Sequence, residues 1–174
     1  DVRGNRRQNK VLEEDTVTDP RFKATTADLK KAGLGFAYHN HDFELADFDG
    51  QTAYQRFLSL IDPSVEIELD LYWALVGGQD VVALVQELGD RLVAIHVKDG
   101  IKPESNPFAP GAPKFSSSSL DQRHAGQGEV PTVEAMKAAT NVKYAVIEYD
   151  NAPGDVFADV ENSYRFLIDG GLAA

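Results

Sequence analysis

Four short segments, YHNH at 38–41, ELD at 68–70, HVK at 96–98 and IEY at 147–149, limit what this chain can fold into more than any other feature. Each ends in a group able to hold a divalent metal. Each follows or interrupts an apolar, β-branched run of strand length, and the stretch after each carries helical spacing. Their intervals are those of βα units, so several ligands are expected to meet at the carboxyl edge of one parallel sheet, where α/β proteins place their chemistry.

The intervening sequence supplies the rest of the pattern. A charged helix is expected over Phe22–Ala32, stopped by Gly33, and then the strand Leu34–His41. Tyr54, Phe57, Leu58 and Ile61 mark a helix over Thr52–Ile61, which Asp62-Pro63-Ser64 breaks before the strand Val65–Leu71. Val81, Leu84, Val85 and Leu88 form one stripe of a helix over Asp80–Leu88, and the strand Leu92–Val97 comes next. From Ile101 to Val130 prolines, glycines and serines permit neither long helix nor central strand, and a loop that long in a compact domain usually serves function. A helix over Thr132–Ala139, the strand Lys143–Tyr149 and a last helix from Asp155 to Ile168 complete an α/β order with four parallel strands.

Composition narrows the function. With 174 residues and 43% apolar content the chain can bury one sizeable core. Residues 1–19 read as a flexible polar leader and 20–174 as the domain; because the first residue is Asp1, a processed or truncated amino end is also expected. A net charge of −11 argues against a nucleic-acid or anionic-membrane partner, and the cluster Arg3, Arg6, Arg7 and Lys10 is followed at once by Glu13, Glu14 and Asp15. The absence of cysteine excludes thiolate metal sites and fits a cytoplasmic location, and no apolar run approaches the roughly 20 residues of a membrane span.

Strand parity decides which side chains can meet, because alternate residues face one side. His39 pairs with His41, Glu66 with Glu68 and Asp70, His96 with Lys98, and Tyr144 with Val146 and Glu148. A shell of imidazole and carboxylate suits manganese, iron, cobalt or zinc better than calcium or magnesium.

The runs GLGFAYHNHDFEL, IELDLYWALVGGQD, RLVAIHVKDG, GQGEV and YAVIEYDN, in this order, resemble the sugar phosphate isomerase/epimerase family of xylose isomerase-like TIM barrels. The resemblance extends from about Ala32 to Leu167. It implies a parallel (β/α) TIM-barrel type with only about four βα units, matching the C-terminal half of a (β/α)8 barrel. It also implies a divalent metal at the carboxyl mouth, manganese first, with zinc, cobalt, iron or magnesium as alternatives. Position by position it assigns Asp70, His96 and Glu148 to the metal and makes His39 the fourth ligand, at a place where many relatives carry glutamate. With an imidazole there, a symmetric two-glutamate epimerisation is not expected.

The chemistry implied is isomerisation or epimerisation of a sugar, keto-sugar or sugar phosphate through a metal-stabilised enediolate, with a keto-inositol-type dehydration or a non-catalytic half-barrel as alternatives. Glu148 is the expected general base, His41 an acid or proton shuttle, and Lys98 a partner for a substrate hydroxyl, carboxylate or phosphate. Trp73 is expected to form a platform for a sugar ring, Tyr72 to pack in the core, and Asp42 and Glu44 to steer the histidines or, for Glu44, to touch substrate. Gly126 and Gly128 are expected to permit a tight return of the chain. A closed barrel needs ~250 residues, so the four units are expected to form a homo-oligomer, to pair with a missing N-terminal half, or to be a fragment.

Overall fold

The computed structural model describes residues 20–41, 43–45, 47–48, 50–105, 107 and 120–173. The expected leader over 1–19, Asp42 and residues 108–119 of the long loop lie outside the described residues.

Helix α1 (Pro20–Lys31) leads into strand β1 (Ala37–His39). A small antiparallel pair, β2 (Asp47–Phe48) and β3 (Gln51–Thr52), precedes α2 (Ala53–Leu60). A reciprocal cap sets where α2 starts, since Thr52 Oγ1 accepts from the Gln55 N–H and the Gln55 side chain accepts from the Thr52 N–H, both at 3.0 Å. Next come β4 (Glu66–Asp70), α3 (Leu71–Val76), α4 (Val81–Leu88), β5 (Leu92–Val97), β6 (Asp99–Ile101) and β7 (Asp121–Arg123). Helix α5 (Thr132–Ala138), β8 (Tyr144–Ile147) and α6 (Val156–Asp169) complete the order.

Strands β1, β4, β5 and β8 form one sheet in that order, and every pairing in it is parallel. The four-stranded parallel sheet with intervening helices is the architecture expected from the sequence. On one parity Ile67, Leu69, Ile95, Val97, Ala145 and Ile147 join the core with Leu71, Val76, Val81, Leu84 and Leu88. Leu69 and Ile95 are wholly buried, and burial of such a side chain contributes about 1.5–3 kcal/mol. The other parity carries Glu66, Glu68, Asp70, His96 and Val146, so the sheet has one apolar and one polar face.

One expectation is corrected. The strand expected to reach Leu71 ends at Asp70, and LYWALV is helix α3, because the Asp70 carboxylate accepts the Trp73 N–H at 2.8 Å and turns the chain. The described part of the stretch 101–130 holds neither long helix nor central strand, as expected; a short antiparallel pair, β6 and β7, ties it down beside the sheet, with Gly100 opposite Gln122. Among the described residues no helix is long and apolar enough to cross a membrane.

Candidate metal centre

Parallel register brings the polar residues of the four strands together. His39 lies beside Glu68, Asp70 beside His96, and His96 beside Val146; Lys98 and Glu148 follow two residues farther along their strands. Asn40 secures the junction of the first two strands, its wholly buried Oδ1 accepting the Asp70 N–H at 2.9 Å. The alternation seen in the sequence therefore becomes a cluster at the carboxyl ends.

His39, Asp70 and His96 each offer a ligand atom, and these atoms lie within 4.8 Å of one another. Two features orient the imidazoles. His96 Nε2 donates to Glu68 Oε1 at 2.8 Å, which leaves Nδ1 facing Asp70 Oδ2 at 3.9 Å and Glu148 Oε2 at 3.7 Å. His39 Nδ1 lies 3.3 Å from the Glu68 carbonyl, an acceptor only, so this nitrogen carries the proton and Nε2 keeps its lone pair. A carboxylate behind a ligating histidine sets its tautomer and raises its basicity.

His96 Nδ1 is buried without a hydrogen-bond partner among the described residues, and Asp70 Oδ2, also outside strict hydrogen-bond geometry, is engaged by the Lys98 ammonium. Buried polar atoms without a partner are rare in folded proteins unless a further ligand serves them. Two imidazoles and a buried carboxylate aimed at one point are a donor set for a divalent transition metal. These residues fit the ion that the sequence resemblance implies.

Electrostatics separates the two histidines. Burial, reinforced by His96 and His41, lowers the pKa of His39, so it is neutral near pH 7, the form a metal needs. For His96, burial pulls downward, but Glu148, Asp70 and Glu68 outweigh it and the pKa rises. Glu148 is held down at about 2, first by His96 and, against the upward pull of burial, by Lys98. Burial pushes the Asp70 carboxyl upward in spite of Lys98.

Lys98, expected to hold a substrate group, lies in the interior of the cluster. It is 1% exposed. Its ammonium pairs with Asp70 Oδ2 at 2.9 Å, with Asp150 Oδ2 at 2.6 Å and with Glu148 Oε2, and it lies 5.6 Å from the Trp73 ring centroid. Trp73 is likewise a core residue, 3% exposed, whose ring packs near that ammonium and offers no open platform for a sugar. Tyr72 is buried, as expected, and its hydroxyl donates to the Ile101 carbonyl at 3.0 Å.

Glu44 is wholly buried, accepting from Tyr38 Oη at 2.6 Å and from the His41 N–H at 3.0 Å. Both of its oxygens are engaged, so it braces the segment after β1 and is not placed to touch substrate. His41 is exposed, with its ring 4.8 Å from that of His39, at the rim of the cluster.

The GQG turn has a structural task. Asp99, wholly buried, accepts the N–H groups of Gly100, Gly126, Gly128 and Val130 at 2.8–3.0 Å. Gly126 has φ +84°, and a Cβ on Gly128 would come within 2.1 Å of Asp99 Oδ1. These amides are filled by the protein's own carboxylate.

Asn40, Glu68, Asp99, Gln122 and Asp150 all support the cluster, and sequence reasoning assigned none of them a role. Glu68 and Asp150 had a signal, since each stands two residues from a named ligand on the same strand parity. Gln122 had none.

No protein-family model and no curated protein matches the sequence. Solved structures do. The chain is similar to a sugar phosphate isomerase/epimerase from Parabacteroides distasonis, with 25% identity and a TM-score of 0.55 over 83% of this chain and 48% of that one. It is also similar to a xylose isomerase domain protein from Alicyclobacillus acidocaldarius, with 13% identity and a TM-score of 0.57 over 87% and 56% of the two chains. A third similar structure is a xylose isomerase-like TIM barrel/4-hydroxyphenylpyruvate dioxygenase fusion protein, with 13% identity and a TM-score of 0.57 over 90% and 25%. The chain spans about half the length of the first two. Its fold matches that of part of a xylose isomerase-like TIM barrel.

Proposed function

We propose that the protein is a metal-dependent isomerase or epimerase acting on a sugar, keto-sugar or sugar phosphate. The observation that carries this reading is the convergence of ligand atoms of His39, Asp70 and His96 within 4.8 Å of one another, with His96 Nδ1 buried and without a hydrogen bond. The similarity to a sugar phosphate isomerase/epimerase supports the substrate class. His39, Asp70 and His96 would hold the ion, with Glu148 as fourth ligand, and manganese, zinc, cobalt or iron suits this shell. When bound, such an ion supplies Lewis-acid stabilisation of the negative charge that develops on a carbonyl oxygen as the adjacent C–H proton leaves.

The chain's own residues divide the remaining work. Glu68 holds His96 in the tautomer that presents Nδ1. Glu148 is ionised throughout the neutral range, and its pairing with Lys98 and His96 makes it a weak proton acceptor until substrate or metal displaces one of them. His41, exposed at the rim beside His39, is placed to exchange a proton between substrate and solvent.

A second reading is favoured by one observation, the coverage of only 48% of the similar isomerase/epimerase. On that reading the chain binds the ion without turnover unless a second copy or another half-barrel supplies the remaining walls. Incubating the manganese-loaded protein with a panel of keto-sugars in deuterated water separates the two. Deuterium incorporation at the carbon beside the carbonyl, abolished by Glu148→Gln, supports the enzyme. Metal binding without exchange on any member of the panel supports the binding module.

A further inference from the structure

We infer that Asp150, held by Gln122, is a positioning residue that keeps the Lys98 ammonium from taking over the carboxylates needed by the metal. The inference rests on the reading of His39, Asp70 and His96 as a divalent-metal site. The cluster contains Glu68, which pairs with His96, and Asp70, Glu148 and Asp150, which share the Lys98 ammonium. Asp70 Oδ2 lies 3.9 Å from His96 Nδ1 and 2.9 Å from Lys98 Nζ. The ammonium and a divalent ion would thus draw on the same oxygen.

Asp150 decides how strongly they compete. Its Oδ2 accepts a hydrogen bond from Lys98 Nζ at 2.6 Å. Asp150 cannot swing freely. Gln122 Nε2 donates to the same Oδ2 at 2.9 Å, while Gln122 Oε1 accepts the N–H groups of Asp150 and Asn151 at 3.0 and 2.8 Å. Gln122 is itself buried on β7, which pairs with β6, the strand that starts at Asp99 immediately after Lys98. The loop that the sequence left without an assignment therefore reaches back to anchor the cation beside the metal ligands.

Without Asp150 the ammonium would have only Asp70 and Glu148 to pair with and would bind them more closely. A through-space effect of the Asp150 charge would also favour a divalent ion, so the test must separate the two. Manganese and zinc dissociation constants are measured by titration calorimetry on the full chain for wild type, Asp150→Asn, Lys98→Gln and the double variant, with folding checked by circular dichroism.

The expected result is that Asp150→Asn weakens metal binding by roughly 10- to 100-fold, that Asp150→Glu recovers most of the loss, and that Asp150→Asn has no effect once Lys98 is Gln. Should the Lys98 variants fail to fold, Gln122→Leu serves instead, with a loss in the same direction that Asp150→Asn does not deepen. An equal loss from Asp150→Asn with and without Lys98, or no loss in wild type, overturns the positioning role and leaves the metal site standing. A wild-type protein that binds neither ion overturns both.

Discussion

Asp70 and Asp99 both sit wholly buried at the carboxyl ends of the central strands, and their bonding is opposite. Asp99 is saturated by four backbone N–H groups and ties the 121–130 segment to the sheet. Asp70 uses one oxygen to cap α3 and leaves the other without a hydrogen bond, facing His96 and Lys98. A buried carboxylate that the backbone satisfies is part of the scaffold. One whose second oxygen looks at an imidazole nitrogen with no partner is ready for a ligand.

Substituting each aspartate should break the symmetry of their burial. Asp99→Ala leaves four inward amides without their acceptor, at about 1–3 kcal/mol for each that stays dry. The unfolding free energy in urea should fall by at least about 3 kcal/mol. Asp70→Asn keeps an oxygen for the Trp73 N–H and relieves a charge that burial disfavours, so its stability should change by less than about 1 kcal/mol. Its divalent-metal affinity should instead drop more than about 100-fold, beyond the loss typical of a supporting residue. If the two variants behaved alike in both assays, the contrast would be wrong.

Protons sharpen it further. The three acids hold the His96 imidazolium above its ordinary pKa, whereas metal ligation needs the neutral ring. Binding should therefore release a proton near neutral pH and weaken by up to about tenfold per pH unit on acidification. Calorimetry in buffers of different ionisation enthalpy measures the release.

Glu148 gives a smaller, opposite-limb effect in the metal-free protein. Its carboxyl is lowered from an ordinary 4.5 to about 2, so the stability it contributes is present above pH 4.5 and is lost as pH falls through about 2. Glu148→Gln should flatten that part of the acid-unfolding curve. The smallest effect is a control far from the site, Thr52→Ala at the start of α2, which should cost about 1 kcal/mol and leave metal affinity unchanged.

The same contrast marks what could be read from the sequence. His39, Asp70 and His96 were legible because a strand alternates with period two, and parallel neighbours set like parities side by side. The four parallel strands were legible for the same reason, in apolar runs of the right length. Helix α3 was not, since LYWALV is as apolar as a buried strand and only the cap by Asp70 distinguishes them. The interior place of Lys98 depends on carboxylates 28 and 52 residues away in the chain, and that of Asp150 on Gln122 in a loop without periodicity. The burial of Trp73, an aromatic beside a ligand, was equally not legible from its position in the chain.

The central claim is that His39, Asp70 and His96 form one divalent-metal site. The most direct measurement is the manganese or zinc stoichiometry of the purified chain after metal loading and desalting, set beside that of His39→Ala, Asp70→Asn and His96→Ala. The account predicts one tightly held ion per wild-type chain and loss of that ion in each variant. Absence of a tightly held ion in the folded wild type, or retention of it in any of the three variants, would contradict the account.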